Sequence, residues 1–143
     1  MAVIHSHSPA IIPFGVTGAR LRPICHMSGF LGGVTPVFEI RHSAGESTDL
    51  LIRNQSLGMA LAKTLGASAV ALMRGHGSVA VGVSLRQAVY RAIYTESNAR
   101  LQSEAMRFGD VNYLSDGEAA STAVMMDEHL ERPWAMWKQQ VRS

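Results

Sequence analysis

The chain begins with short apolar runs that are separated by turn-forming residues. The first run, AVIH, predicts a strand, and Pro9 and Pro13 limit the segment behind it to about one turn of helix. The next stretch, RLRPICHMSGFLGGV, contains three glycines that interrupt regular structure, so it predicts a loop. A second short strand is predicted at PVFEI, where Pro36 takes the first position.

Longer patterns follow in the middle of the chain. The segment RNQSLGMALAKTLG predicts a helix with Asn54 as its N-cap and Gly66 just beyond its carboxyl end. Two apolar, β-prone runs then flank RGHG, where Gly75 and Gly77 can adopt positive φ. This part of the chain therefore predicts a β-hairpin that carries His76 at its tip.

The clearest helix is predicted between Ser84 and Gly109. Ser84 and Gln87 match a capping box, and Gly109 is a suitable terminator. Glu96 falls inside the apolar face of this helix. That face recurs at three- and four-residue spacing and consists of Leu85, Ala88, Val89, Ala92, Ile93, Ala99 and Met106.

The tail STAVMMDEHLERPWAMWKQQV predicts one more helical segment and its continuation, with Trp134 and Trp137 on one face. Short strands, helices and glycine-rich connections together predict a mixed α/β (α+β) fold. We expect a single domain over residues 1–143, because a chain of this length can bury roughly two thirds of its unfolded surface.

Composition and charge narrow the classes of function. The chain is 47% hydrophobic and 17% charged, which is typical of a globular protein. The formal net charge is +2 and no basic stripe alternates with aromatic residues, so we expect no nucleic-acid partner. No apolar run reaches the roughly 20 residues of a membrane span. Without a signal-peptide pattern, and with Cys25 as the single cysteine, a cytoplasmic location is expected.

Three histidines are the first candidates for chemistry. In an extended VIHSH segment, His5 and His7 point to one side, and their imidazoles can converge on one ion at about 2.0–2.1 Å. His76 is the candidate third ligand, because catalytic zinc commonly takes three protein ligands and keeps one position open. The alternative is that the His-x-His pair is a hydrogen-bonded surface or interface pair.

Three segments carry a resemblance to a known family. VIHSHSPA, ALMRGHGSVAVG and SLRQAVYRAIYTESNARLQ, in this order and spacing, resemble the class II aldolase/adducin family over nearly the whole chain. The resemblance implies a three-layer fold of sheet and helices. It also implies a divalent metal, zinc or alternatively manganese, held by His5, His7 and His76. A homotetramer with active sites between its subunits is implied as well.

A narrower resemblance concerns the substrate. PAIIPFGVTGARLRPICHMSGFLG, PVFEI, TDLLIRNQSLGMALAKTLG and RPWAMWKQQV are similar to the family's decarboxylases of aromatic catabolism. This implies a metal-dependent lyase that decarboxylates a hydroxylated aromatic or ring-cleavage carboxylate, with the metal as a Lewis acid that favours an enolate or phenolate. A sugar-phosphate aldolase or epimerase is the alternative enzyme. An adducin-like interaction module is the non-catalytic alternative.

Family members carry a segment upstream of the His-x-His strand, with a glycine/serine-rich phosphate-binding loop and an acidic residue near the metal. This chain starts at the strand, so we expect it to correspond to the C-terminal part of the family domain. A truncated chain, a misplaced start and a reduced member are the three explanations.

Residues within this chain are candidates for the catalytic role that the upstream acidic residue has in the family. Glu96 is a candidate catalytic residue or an orienting partner of a metal-bound histidine, and the alternative is an ion pair with an arginine in a subunit interface. Tyr113, like Tyr94, is a candidate to protonate a carbanion, with simple packing as the alternative.

Four residues are candidates for substrate binding. Arg20, Arg22 and Arg74 qualify because the planar guanidinium group matches a carboxylate. His26 qualifies because it lies in a predicted loop that can face a substrate. For each of them, exposure to solvent without a ligand is the alternative.

Overall fold

A four-stranded sheet lies at the centre of the computed structural model, which describes residues 1–142. The strands are β1 (Ala2–Ser6), β2 (Val37–Phe38), β3 (Val70–Met73) and β4 (Gly77–Gly82). Their order in the sheet is β1-β4-β3-β2. Strands β1 and β3 run antiparallel to β4, and β2 runs parallel to β3.

Helices fill most of the remaining chain. Within residues 1–142 the α-helices are α1 (Ile12–Val16), α2 (Arg41–Ala44), α3 (Gln55–Leu65), α4 (Leu85–Phe108), α5 (Asp116–Glu128) and α6 (Glu131–Arg142). A 3-10 helix spans His26–Leu31. The mixed α/β fold predicted from the sequence is confirmed.

The two faces of the sheet pack against different helices. Leu72 and Ala80 lie in an apolar cluster that also contains Ala99 of α4. Val79 points the opposite way and packs with Leu61 of α3. Neighbouring residues of a strand face opposite sides because the side-chain period is two. We call the two sides the α4 face and the α3 face.

Several local predictions are confirmed. The predicted hairpin is formed by β3 and β4. Asn54 caps α3, since its side chain accepts a hydrogen bond from the backbone of Leu57 at 3.0 Å. Gly66 ends α3 with a φ of 54°, a value that glycine adopts at little cost. Gly109 follows the last turn of α4.

The segment around Gly29 differs from the predicted loop, because it forms the 3-10 helix. Here glycine serves close packing: a Cβ added to Gly29 would lie 2.1 Å from the Thr122 hydroxyl and 2.5 Å from the Ala119 carbonyl of α5. The sequence pattern gave no sign of this long-range contact. Helix α5 also begins earlier than predicted, at a complete capping box formed by Ser115 and Glu118.

The start of α4 matches the predicted capping box only in part. The Ser84 hydroxyl accepts from the Gln87 backbone at 3.2 Å, as expected. The Gln87 side chain, however, accepts from the backbone of Val83 at 2.7 Å and not from that of Ser84. The predicted apolar face is also wrong in part, since Leu85 and Met106 are exposed.

A polar stripe lies on α4 beside Ala88 and Ala99, the buried members of the predicted apolar face. Its fully buried members are Thr95, Asn98 and Gln102. The Asn98 amide accepts from the Ile24 backbone at 3.0 Å and donates to the Arg22 carbonyl at 2.7 Å.

One turn later, the Gln102 amide accepts from the Arg22 backbone at 3.0 Å and donates to the Arg20 carbonyl at 2.8 Å. The two amides therefore pair with segment 20–24 as a neighbouring strand would, and they satisfy backbone groups that no strand reaches.

Replacing one of these amides tests this role. We expect Asn98→Ala to lower the free energy of unfolding by about 2–4 kcal/mol, because the part-buried Ile24 N–H and Arg22 carbonyl lose their partner and the fully buried Asn98 site is left with a void. Urea denaturation measures this loss. Asn112→Ala, at an exposed asparagine, is the matched control and should stay within about 0.5 kcal/mol of the parent protein. Equal effects of the two substitutions would show that the amide pairing contributes little.

Candidate metal centre

Edge strand β1 presents two histidines on the α3 face. His5 lies opposite Val79 in the antiparallel register with β4, so its side chain shares the face of Val79. His7 follows two residues later and points to the same side. Both side chains are exposed, and β1 is an edge strand of the sheet that the described residues form.

The β3–β4 hairpin brings a third histidine to these two. Gly75 and Gly77 adopt φ values of 67° and 156°, which allow the tight bend around His76. A Cβ added to Gly77 would lie 2.1 Å from the Ser6 carbonyl oxygen and 3.1 Å from the Cα of His7. Glycine at this position therefore lets the backbone of β1 lie directly against the hairpin tip.

The three imidazoles converge through the same nitrogen. The Nε2 atom of His7 lies 2.9 Å from Nε2 of His5 and 2.9 Å from Nε2 of His76. The ring centroids of all three pairs are 4.7–4.9 Å apart. We call this group the histidine triad.

Backbone carbonyls fix the orientation of two triad members. Nδ1 of His5 lies 3.0 Å from the Ser78 carbonyl oxygen, and Nδ1 of His76 lies 2.9 Å from that of Leu50. In the neutral rings these Nδ1–H groups donate, which leaves the lone pairs of Nε2 pointing to the centre of the triad.

Leu50 is a part of the candidate site that the sequence did not reveal. Among residues 1–142 it is the one non-glycine residue with positive φ, at 67°. Such a conformation costs about 1–3 kcal/mol and persists where the surroundings impose it. Here the residue with this conformation is the one whose carbonyl oxygen accepts the hydrogen bond from His76. No residue-type signal marks the position, because leucine does not favour this conformation.

The donor set fits a divalent ion of the zinc type. Three ligands of a tetrahedral zinc ion lie roughly 3.3 Å from one another at Zn–N distances of about 2.0–2.1 Å, and the triad is only slightly tighter. Burial lowers the pKa of His76, and the nearby His5 and His7 lower it further, although the bond to Leu50 opposes them. These effects favour the neutral form of His76, which is the form that binds a metal.

Glu96 does not orient the triad within its own chain. The Nδ1 atoms of His5 and His76 are bonded to carbonyls, and α4 packs on the opposite face of the sheet. One Glu96 oxygen accepts from Arg100 at 2.9 Å, while the other is buried without a hydrogen-bond partner among residues 1–142. The catalytic role of Glu96 stays a prediction.

Three other candidates assemble with each other on the α4 face. The guanidinium of Arg22 stacks 4.1 Å from the ring centre of Tyr113. The Gln102 amide lies 3.3 Å from the Tyr113 hydroxyl, and the same side chain holds the backbone of Arg20 and Arg22. Arg20 and Arg22 are exposed. Within one chain, the sheet separates this group from the triad.

The last two candidates occupy separate places. Arg74 is bound to the Glu39 carboxylate at 2.7 Å, beside the hairpin. Arg41 also binds this carboxylate. The hydrogen bond from Arg41, together with the one from Arg74, holds the pKa of Glu39 well below its usual range. His26 is exposed at the start of the 3-10 helix and lines a cavity against α4, away from the triad.

Fold and triad together define a mixed α/β protein with a candidate metal centre at the tip of a hairpin. Residues 1–103 match the family described as class II aldolase and adducin N-terminal domain. The chain belongs to this family.

Curated relatives include two kinds of decarboxylase. The chain is 37% identical to decarboxylase tropJ of Talaromyces stipitatus over 163 residues, which cover 99% of this chain and 61% of the relative. It is 30% identical to 3,4-dihydroxyphthalate decarboxylase of Terrabacter sp. over 113 residues, which cover 76% of this chain and 44% of the relative. The chain thus spans about three fifths or less of the length of these relatives.

Solved structures support the fold. L-fuculose 1-phosphate aldolase superposes with a TM-score of 0.69 at 20% identity, over 87% of this chain and 55% of that protein. An aldolase II superfamily protein from Pseudomonas syringae gives 0.66 at 20% identity, over 96% of this chain and 54% of that protein. The class II aldolase-like fold is therefore confirmed. Within residues 1–142, no helix combines the length and the apolar character needed to cross a membrane.

The close approach at Gly77 can be tested directly. A methyl group there must displace the backbone of Ser6 and His7, so we expect Gly77→Ala to weaken binding of Zn²⁺ at least tenfold, as measured by competition with a chromogenic chelator. Gly117→Ala is the matched control, because nothing lies within 4 Å of an added Cβ at that position. Unchanged Zn²⁺ affinity in Gly77→Ala would contradict the role given to this contact.

Proposed function

We propose that this chain carries the metal centre of a divalent-metal-dependent carbon–carbon lyase that decarboxylates a hydroxylated aromatic or ring-cleavage carboxylate. The observation that carries the proposal is the convergence of three Nε2 atoms at the hairpin tip. The decarboxylase names of the curated relatives support the reaction type. The single cysteine agrees with action in a reducing cytoplasm.

His5, His7 and His76 are the proposed ligands, with zinc as the expected metal and manganese as the alternative. Bound there, the ion supplies a Lewis acid that stabilises negative charge developing on a substrate oxygen. The protein's own contribution is orientation: the Ser78 and Leu50 carbonyls hold two rings in one tautomer, so the donor atoms need little rearrangement.

The reaction also needs a proton donor. When the bond between the carboxylate and the adjacent carbon breaks, carbon dioxide leaves and the electron pair stays on that carbon, which then takes a proton. Tyr113 is the proposed donor. Its hydroxyl accepts from the Gln102 amide, so its own proton is free to leave, and the Arg22 guanidinium above the ring stabilises the resulting phenolate.

We further propose that the active site is shared between subunits of a homotetramer. The triad lies on the α3 face and the Arg22–Tyr113 pair on the α4 face, so neither group completes a site within its own chain. A neighbouring subunit can supply the missing group. Arg20 and Arg22 are the proposed anchors of the substrate carboxylate, since both are exposed and their backbone is held firmly.

Metal content is the first test. We expect the purified protein, after supplementation with Zn²⁺ or Mn²⁺, to hold close to one ion per chain by elemental analysis. His76→Ala should lose nearly all of it because a three-ligand site then has two. His42→Ala, at an exposed histidine outside the triad, should keep it. An ion content near zero in the parent protein would remove the basis of the proposal.

Product analysis separates the candidate activities. With 3,4-dihydroxyphthalate as the probe substrate, we expect the metal-loaded protein to release carbon dioxide, and His76→Ala to release none above background. Release of an aldehyde from L-fuculose 1-phosphate without carbon dioxide would replace the decarboxylase by an aldolase. Metal binding without either product would favour an interaction module.

Mixed oligomers test the shared site. Tyr113→Phe should lower the decarboxylation rate about 100-fold or more while metal content stays unchanged, because only the proton donor is lost. Refolding an equal mixture of Tyr113→Phe and His76→Ala subunits should restore roughly a quarter of the parent activity, since random pairing forms some intact sites. Absence of any recovery, with oligomers formed normally, would contradict a site shared between subunits.

A further inference from the structure

An ion pair lies at the base of the hairpin tip that carries His76. Glu39, which directly follows β2, binds the guanidinium of Arg74, whose Nε lies 2.9 and 2.7 Å from the two carboxylate oxygens. Arg74 directly follows β3 and is two residues from His76 in sequence. The carboxylate therefore holds the hairpin at the point where the chain leaves the sheet and turns towards the triad.

The Glu39 carboxylate is itself fixed by Arg41. The Arg41 guanidinium donates to its two oxygens at 3.0 and 2.8 Å, and the Arg41 backbone N–H donates to one of them at 3.1 Å. The side chains of Glu39 and Arg74 are only 19% and 26% exposed, so water screens their ion pair less than it screens a surface pair. Arg74 is thus bound to a carboxylate that has little freedom to move.

Helix α1 also packs against the backbone of Arg74. A Cβ added to Gly15 of α1 would lie 3.6 Å from the Arg74 Cα and 3.6 Å from the Met73 carbonyl oxygen, which is ordinary van der Waals contact. The side chain of Arg74 is therefore held by Glu39 while its backbone is supported by α1. The turn that contains His76 starts from this fixed residue.

Two backbone hydrogen bonds lie next to this ion pair. The N–H of Arg74 donates to the Phe38 carbonyl at 3.1 Å, and the N–H of His76 donates to the Met73 carbonyl at 3.0 Å. Loss of the Glu39 contact removes a restraint on both groups, so these two bonds should open more often.

We propose that Glu39 is a positioning residue of the metal centre, which acts through Arg74 to hold the hairpin tip and thereby His76 in place. This inference rests on the metal-binding part of the proposed function and does not depend on the reaction type. Glu39 does not belong to the triad. Its loss should therefore weaken metal binding although all three ligands remain.

Glu39→Gln tests the inference, because it keeps the size of the side chain and removes its charge. We expect the Zn²⁺ affinity to fall about tenfold in competition with a chromogenic chelator, which is the loss typical of a supporting residue around a metal site. The visible absorption of bound Co²⁺, which depends on ligand geometry, should shift as well. Glu104→Gln is the matched control and should change neither, since Glu104 is an exposed partner of Arg107 on α4.

Amide hydrogen exchange in the metal-free protein measures the positioning without a metal. In Glu39→Gln, the N–H groups of Arg74 and His76 should exchange about tenfold faster than in the parent protein. The N–H of Val81, which donates to the Ala69 carbonyl at 2.9 Å, should keep its parent rate because the opening is local. A uniform increase at all three positions would show a loss of global stability and contradict a positioning role.

A double-variant comparison tests whether Glu39 acts through Arg74. In an Arg74→Gln background, Glu39→Gln should have little further effect on the Zn²⁺ affinity, since the partner is already lost. An equal loss in both backgrounds would show an effect of charge alone and overturn the inference. Parent-like Zn²⁺ affinity in Glu39→Gln would also overturn it and leave the proposed function intact. A parent protein that binds no Zn²⁺ would instead overturn the proposed function, and this inference with it.

Discussion

The candidate site depends on one backbone contact, between Gly77 at the hairpin tip and the Ser6–His7 backbone of the edge strand. A hypothetical Cβ on Gly77 would overlap the Ser6 carbonyl oxygen, at 2.1 Å, so any other residue must push β1 away. Because the strands lie this close, histidines that are about 70 residues apart in sequence bring their Nε2 atoms to 2.9 Å. A metal site needs such precision, since a displacement of about 1 Å already loosens it.

Carbonyl groups then decide which nitrogen of each ring faces the centre. Ser78 belongs to the strand next to His5, so its carbonyl is placed by the sheet itself. Leu50 belongs to a loop and adopts a positive φ, which is energetically costly for leucine. Its carbonyl oxygen accepts the hydrogen bond from Nδ1 of His76. The strain is located next to the proposed chemistry, which is where strained residues tend to cluster in proteins.

The sheet divides the molecule into two chemical sides. The triad belongs to the α3 face, whereas the buried amides of Asn98 and Gln102 organise Arg22 and Tyr113 on the α4 face. This division is the physical reason for proposing a site shared between subunits, because residues on opposite faces of the sheet in one chain do not meet around one substrate.

The sequence by itself determined the local features: strand alternation put His5 and His7 on one side, glycines bent the chain at His76, and Asn54 began a helix. These signals are local because they depend on residues a few positions apart. Only the tertiary structure decided that β1 pairs with β4 in the register that faces His5 with Val79, and that Leu50 supplies a carbonyl. It also decided that α4 buries two amides beside the predicted apolar residues Ala88 and Ala99. Those outcomes depend on contacts between segments that are distant in sequence. The free energies of such contacts cannot be read from a local sequence pattern.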